Sequence, residues 1–174
     1  NGIVTIEVVS TYDDTVKETV TARIYNPTET LIISGNELIN ANTMMYLTVD
    51  VGPDDAYESV VWTSSDENVA IVSETGILRA LSAGMVTITA TSMYDDSLTD
   101  EIEIEVVNYL VVDQSKQSGS TLTYMGLDLS YGVDLFDTIS AAADQAVDGS
   151  TIYVPDGTYQ EDVTIDTNGV TLDG

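Results

Sequence analysis

Apolar and polar positions alternate along most of this chain in short runs, and clusters of Gly, Asn, Asp and Ser separate the runs. A period of two places successive side chains on opposite faces of an extended backbone, so the pattern predicts strands joined by turns. Between residues 27 and 108 the runs are "TLIISG", "MMYLTVDV", "ESVVWTSS", "VAIVS", "GILRAL", "GMVTITATS" and "EIEIEVV". Seven short strands in about 80 residues predict an antiparallel sandwich. The alternation assigns faces: Val86, Ile88 and Ala90 form one inward set and Ile102, Ile104 and Val106 another, with "YDDSLT" as the hairpin connection between them.

The same pattern occurs twice. Residues 2–26 align without a gap on residues 84–108 with nine identities in 25, at a constant offset of 82 residues. An ungapped internal match at that period is the mark of tandem modules. Residues 1–26 are then expected to be the C-terminal strands of a preceding module, and residues 27–108 a complete one. The chain is read as opening in mid-strand.

The stretch "VVWTSSDENVAIVSETGILRALSAGMVTITATS" resembles the group 2 bacterial immunoglobulin-like domains, the modules of invasin- and intimin-type surface proteins. The resemblance covers residues 27–108. It implies that Trp62 is a large filler between two sheets, and that Ser64, Ser65 and Asp66 form a turn whose side chains bond the backbone. Gly76 and Gly84 are corners where a side chain would be costly.

After Asn108 the texture changes. Residues 109–133 show one apolar strand, 109–112, and then a Ser/Gly/Gln-rich stretch that reads as an irregular connecting segment. In residues 134–174, "DLFDTISAAADQAVDG" predicts a helix capped by Asp134, with Leu135, Phe136, Ile139, Ala143 and Ala146 as its apolar stripe and Gly149 as its end. Three apolar pairs follow, Ile152 with Val154, Val163 with Ile165, and Val170 with Leu172, each expected to point inward. A helix leading into such short strands resembles the capped start of a right-handed parallel β-helix of the pectin-lyase type. "DGSTIYVPDGTYQEDVTI" is close to the entry of pectin methylesterases and of adhesin-like surface proteins of archaea and bacteria, which combine β-helices with immunoglobulin-like repeats. The fold class expected is therefore all-β: tandem immunoglobulin-like sandwiches followed by a helix-capped β-helix start.

Charge narrows the setting. Four Lys plus Arg stand against thirty Asp plus Glu, a net charge of −26. Such a surface repels nucleic acid and anionic membranes, and it destabilises the compact state unless salt or cations screen it. No apolar run approaches the roughly 20 residues of a membrane span. The composition has no Cys and no His. Disulfides, thiolate metal sites and every Ser/His or Cys/His catalytic arrangement are thereby excluded.

Among hard-cation ligands, the paired acids on loops, Asp13 with Asp14, Asp95 with Asp96, and Asp54 with Asp55, are candidates for calcium, although none forms an EF-hand pattern and paired Asp also serves turns. No catalytic residue and no organic cofactor is expected. Glu161, Asp162, Asp166 and Asp173 fall in turns or outward positions, where solvated carboxylates are ordinary. Exposed Tyr suits sugar binding, but strands favour Tyr anyway, and Tyr12 and Tyr94 at equivalent loop positions suggest a shared packing role.

The function expected is non-catalytic: a stalk or adhesin-like segment of an extracellular or cell-surface protein. Its partners are neighbouring modules of the same chain or adjacent copies, with carbohydrate or cell-surface ligands as further candidates. Two alternatives stay open. One is a self-assembling filament subunit that exchanges strands between copies, and the other is the spacer and N-terminal part of a β-helix polysaccharide-active enzyme.

Overall fold

The structure is a computed structural model and describes residues 2–54, 56–57 and 59–174. Strands β1 (Gly2–Val9) and β2 (Lys17–Ile24) form an antiparallel hairpin in which Gly2 faces Ile24 and Val9 faces Lys17. Every residue of both strands is exposed. At the base of the hairpin Asn26 bridges Ala56, and the Tyr25 ring stands edge-on to Tyr57 with centroids 5.4 Å apart.

Among the described residues, nine strands build the sandwich that follows. They are β3 (Thr30–Ser34), β4 (Leu38–Asn40), β5 (Met44–Tyr46), β6 (Thr48–Gly52), β7 (Val60–Ser64), β8 (Ala70–Val72), β9 (Ile77–Ala80), β10 (Gly84–Ser92) and β11 (Thr99–Val107). One sheet runs β4-β11-β10-β7; facing it lie β5-β9-β8 and the pair β3-β6. The core forms where inward positions of the long β10–β11 hairpin meet Leu47, Leu78 and Ala80 of the facing layer. Ile88, Ile104 and Ala90 are fully buried and Val86 and Val106 nearly so, as the alternation predicts, while Ile102 is half-buried. Each such aliphatic side chain removed from water contributes about 1.5–3 kcal/mol.

Three expectations for this module change. The run "MMYLTVDV" is two strands in different sheets, β5 and β6, because Leu47 between them turns into the core, where it is 4% exposed. β4 is an additional strand, parallel to β11, with Glu105 opposite Leu38 and Val107 opposite Asn40. Trp62 is half-buried rather than enclosed; it packs against two neighbouring apolar clusters, one with Leu78 and one with Leu31 and Ala90. Gly76 is the expected corner. It has φ +77°, and a Cβ there would lie 2.6 Å from the Leu47 carbonyl oxygen.

Residues 109–174 form a second layer of structure that is more ordered than a loose connection. The elements are β12 (Tyr109–Val112), β13 (Thr121–Tyr124), β14 (Leu127–Ser130), β15 (Leu135–Phe136), α1 (Ile139–Gln145), β16 (Thr151–Tyr153) and β17 (Thr171–Asp173). β15-β12-β16-β17 is a parallel sheet throughout. α1 lays Ala142 and Ala143 against Val112, Phe136 and Ile152.

The connecting segment contains an antiparallel hairpin, β13–β14, where irregular chain was expected. Its turn, Met125–Gly126, has φ +52° and +84°. The helix is shorter than expected. Thr138, not Asp134, caps it by accepting a hydrogen bond from Ala141 N at 3.2 Å, and it ends at Ala146 rather than at Gly149. Leu135 and Phe136 belong to a strand because β12 offers them a parallel ladder: Val111 N donates to the Asp134 carbonyl and Asp113 N to that of Phe136. Of the three apolar pairs, Ile152 is fully buried, whereas Val163 and Leu172 are exposed and residues 163–165 form no strand. Val154, Ile165 and Val170 pack at the margin of the helix-covered core.

Candidate functional site

The paired acids of the two hairpin loops have matching geometry. Ser10 Oγ accepts hydrogen bonds from Tyr12 N and Asp13 N, and Ser92 Oγ accepts from Tyr94 N and Asp95 N. Asp13 Oδ1 takes Thr15 N at 3.0 Å and Thr15 Oγ1 at 2.7 Å; Asp95 Oδ1 takes Ser97 N at 3.0 Å and Ser97 Oγ at 2.6 Å. These bonds to the ionised form, from the hydroxyl first and the amide second, hold both carboxyls below the ordinary value of 3.8.

Asp13 and Asp95 thus use an oxygen each to hold a turn, while Asp14 and Asp96 project beside them as exposed residues. Among the described residues, no three His, Cys, Asp or Glu side chains converge in a manner that would hold a metal ion. Asp54 is exposed, and its neighbour Asp55 lies outside the described residues. Tyr12 is 99% exposed and Tyr94 56%, so the shared packing role expected for them gives way to a shared place at a solvated loop tip.

A groove of about 780 Å³ opens beside β7, lined by Leu47, Val49, Val60, Trp62, Glu74 and Met93 among others. Trp62 forms part of its wall, which accounts for the partial exposure of that ring.

The most developed polar arrangement lies where the sandwich meets the parallel sheet. Asn40, at the end of β4, is 6% exposed; its Oδ1 accepts Tyr109 N at 2.8 Å and its Nδ2 donates to the Tyr109 carbonyl at 2.7 Å. The same amide donates to Asp134 Oδ2 at 3.1 Å, and Asp134 Oδ1 accepts Ser130 N at 2.6 Å. Asp134 is 3% exposed. Around this clamp, Val107 and Leu38 of the sandwich share one apolar cluster with Val111, Leu127, Leu129 and Leu135. Tyr124 and Tyr153 stack at its edge with centroids 4.8 Å apart, and desolvation first, then the Tyr153 hydroxyl, pushes the Tyr124 phenol above its ordinary value of 10. Neither Asn40 nor the clamp role of Asp134 was legible in sequence, because the two residues are 94 positions apart.

Glu161 is likewise not a freely solvated carboxylate. Its Oε1 accepts Ile139 N at 3.0 Å, and its Oε2 accepts Ser140 N at 2.9 Å and Ser140 Oγ at 2.7 Å, tying residues 155–170 to the first turn of α1. Those bonds, the Ser140 hydroxyl foremost, lower its pKa from the ordinary 4.5.

Strand count, sheet order and the buried β10–β11 hairpin define residues 30–107 as an immunoglobulin-like sandwich within an all-β chain. Residues 27–102 match the family of bacterial Ig-like domains of group 2. Curated relatives carry similar stretches. One is a 3-O-alpha-D-galactosyl-alpha-L-arabinofuranosidase of Bifidobacterium longum subsp. longum, 42% identical over 73 residues, 41% of this chain and 6% of the enzyme. Another is a lacto-N-biosidase of Bifidobacterium bifidum, 32% identical over 90 residues, 52% of this chain and 8% of that protein. A third is an A type blood N-acetyl-alpha-D-galactosamine deacetylase of Flavonifractor plautii, 29% identical over 151 residues, 77% of this chain and 18% of the deacetylase. The chain therefore spans less than a fifth of the length of each of these relatives. Among the described residues, no helix is long and apolar enough to cross a membrane.

Proposed function

We propose that this segment is a non-catalytic spacer of a modular extracellular protein, in which the sandwich and the parallel sheet form one stiff link of a stalk. The observation that carries the proposal is the buried joint. Independent modules usually meet through small polar contacts and move against each other. Here Asn40 closes two backbone hydrogen bonds with Tyr109 and a third with Asp134, inside an apolar cluster contributed by both sides. Bending the link would expose that cluster and take from Asp134 the Asn40 donor to its Oδ2, leaving only Ser130 N on Oδ1, at a cost of about 1–3 kcal/mol for the lost polar contact if it stays buried.

The spacer reading extends to two kinds of host. An adhesin-like surface protein suits the resemblance of residues 134–174 to a capped parallel β-helix. A carbohydrate-active enzyme suits the relatives, in which stretches similar to this one make up a small part of long chains with activity on glycans. The second host is the better supported, and there the segment holds catalytic and carbohydrate-binding parts at a fixed separation. With either host, Asp13 and Asp95 hold the loop turns through Thr15 and Ser97, and Asp14 and Asp96 are surface residues beside them.

Small-angle scattering of the chain and of Asn40→Ala tests the joint. The native chain is expected to fit one rigid shape for residues 27–174, and the variant a broadened distribution of interdomain angles. Native scattering that requires two freely hinged bodies would refute the stiff link. Saturable binding to an immobilised glycan array would replace the spacer with a binding module.

A further inference from the structure

The exposed β1–β2 hairpin carries the same register as the buried hairpin β10–β11. Gly2 faces Ile24 as Gly84 faces Val106, and Val9 faces Lys17 as Thr91 faces Thr99, so every pair is displaced by the same 82 residues. The loop bonds repeat as well: Ser10 N donates to the Val16 carbonyl at 2.9 Å and Ser92 N to that of Leu98 at 3.0 Å. Side-chain faces correspond in turn. Val4, Ile6, Val8, Val20, Ala22 and Ile24 occupy the positions of Val86, Ile88, Ala90, Ile102, Ile104 and Val106, which are buried or half-buried. All six in the first hairpin are apolar and exposed. Individual sizes differ, but larger residues (Val8 for Ala90, Ile24 for Val106) offset smaller ones (Ala22 for Ile104, Val20 for Ile102), leaving total side-chain volume within about one methylene.

What covers this face is displayed in the same molecule. The second hairpin is closed by β7, antiparallel to β10, by β4, parallel to β11, and by the facing layer with Leu47 and Leu78. We propose that the β1–β2 hairpin is a docking surface for the open half of a group 2 immunoglobulin-like module, the counterpart of residues 27–83. The β1 edge receives a strand equivalent to β7, with Val8 opposite that strand's counterpart of Trp62, because Ala90 faces Trp62 in the closed module. A two-stranded hairpin is marginal in water, so this docking is also what orders it. The inference stands apart from the stiff joint at Asn40, which lies at the other end of the sandwich strands.

The test is a fusion in which a copy of residues 27–83 is placed immediately before Gly2 of the full chain, which restores an 82-residue module ahead of residue 27. Amide hydrogen exchange of residues 2–9 and 17–24 is expected to slow at least about 100-fold relative to the native chain, with the fusion remaining monomeric. Ala22→Lys, on the apolar face, is expected to abolish that protection. Ile3→Lys, at the position of the exposed Met85, is expected to keep it. A companion fusion in which residues 2–26 are also replaced by residues 84–108 shows whether the added strands fold with their own hairpin. If they do and the native hairpin stays unprotected, the docking proposal is overturned. Protection of the hairpin in the unfused chain that grows with protein concentration would overturn it in favour of a second copy as the occupant.

Discussion

The hairpins β1–β2 and β10–β11 share strand register, loop hydrogen bonds and nine residues in 25, yet one is exposed along both strands and the other supplies the centre of a core. Local instructions suffice for the hairpin itself. In both copies the Ser that opens the loop accepts hydrogen bonds from the amides two and three residues on, and the Asp at the third accepts from the amide two residues beyond it, contacts that depend on nothing outside the loop. Burial is a different matter. Ile6 is 52% exposed and its counterpart Ile88 is 0% exposed, although each sits in the same local sequence "VTI". The apolar stripe is therefore an invitation that only a facing sheet can accept.

The sharpest way to break this comparison is one substitution made at both equivalent places. Ile88→Ala is expected to cost about 2–5 kcal/mol in urea unfolding, through lost burial and the cavity left behind. Ile6→Ala in the same chain is expected to stay within about 0.5 kcal/mol, as for an exposed position. Equal losses would mean that the first hairpin is already packed in solution.

A smaller effect is expected from the loops. Asp13 and Asp95 have folded-state pKa values below their ordinary 3.8, so their contribution is fully present above that value and is lost as the pH falls through the lowered folded value. Glu161 behaves alike below 4.5. Because the loop of residues 92–98 closes core strands and that of residues 10–16 does not, Asp95→Ala should lower the melting temperature at pH 7 and flatten its fall toward pH 3. Asp13→Ala should leave both nearly unchanged. A shared pH profile for the two variants would contradict the distinction.

The smallest and least local effect is that of salt. With a net charge of −26, added NaCl is expected to raise the melting temperature of the sandwich while leaving the exchange rates of β1–β2 amides as they are. A rise with calcium exceeding that with NaCl at equal ionic strength would mark a metal site at Asp95 and Asp96.

The comparison also shows which parts of the fold are written locally. β10 spans the residues expected of it, Gly84–Ser92, because its alternation is unbroken and its ends are turn residues. "MMYLTVDV" alternates just as well, but alternation says nothing about which sheet a strand joins, and Leu47 divides the run between two. Leu135 and Phe136 fit a helical stripe as readily as a strand; the ladder offered by β12, more than twenty positions earlier, decides. The β13–β14 hairpin was legible in principle, since "TLTYMGLDLS" alternates around a Met-Gly turn, but the polar stretch before it masks the signal. Of the candidate sites, the Asp pairs were visible as loop residues and their turn bonds follow from residue type. The clamp at Asn40 depends on a juxtaposition across 94 residues that no local pattern records.

The offsetting size exchanges between the two hairpins, Ala22 for Ile104 and Val8 for Ala90 foremost, bear on how the chain closes as it is made. During synthesis β1–β2 leaves the ribosome before residues 27–83, and those strands emerge before their own closing hairpin does. An early hairpin not yet covered by its own half-module offers those strands the right register and an apolar face. Ile104 is fully buried, so Ala22 in its place removes bulk at that point while Val8 in place of Ala90 adds it elsewhere on the face, a difference of shape rather than of total volume. Divergence between the repeats at four of the six core-facing positions thus gives each hairpin its own contour, the kind of difference by which a chain built of similar parts can favour one closure over another.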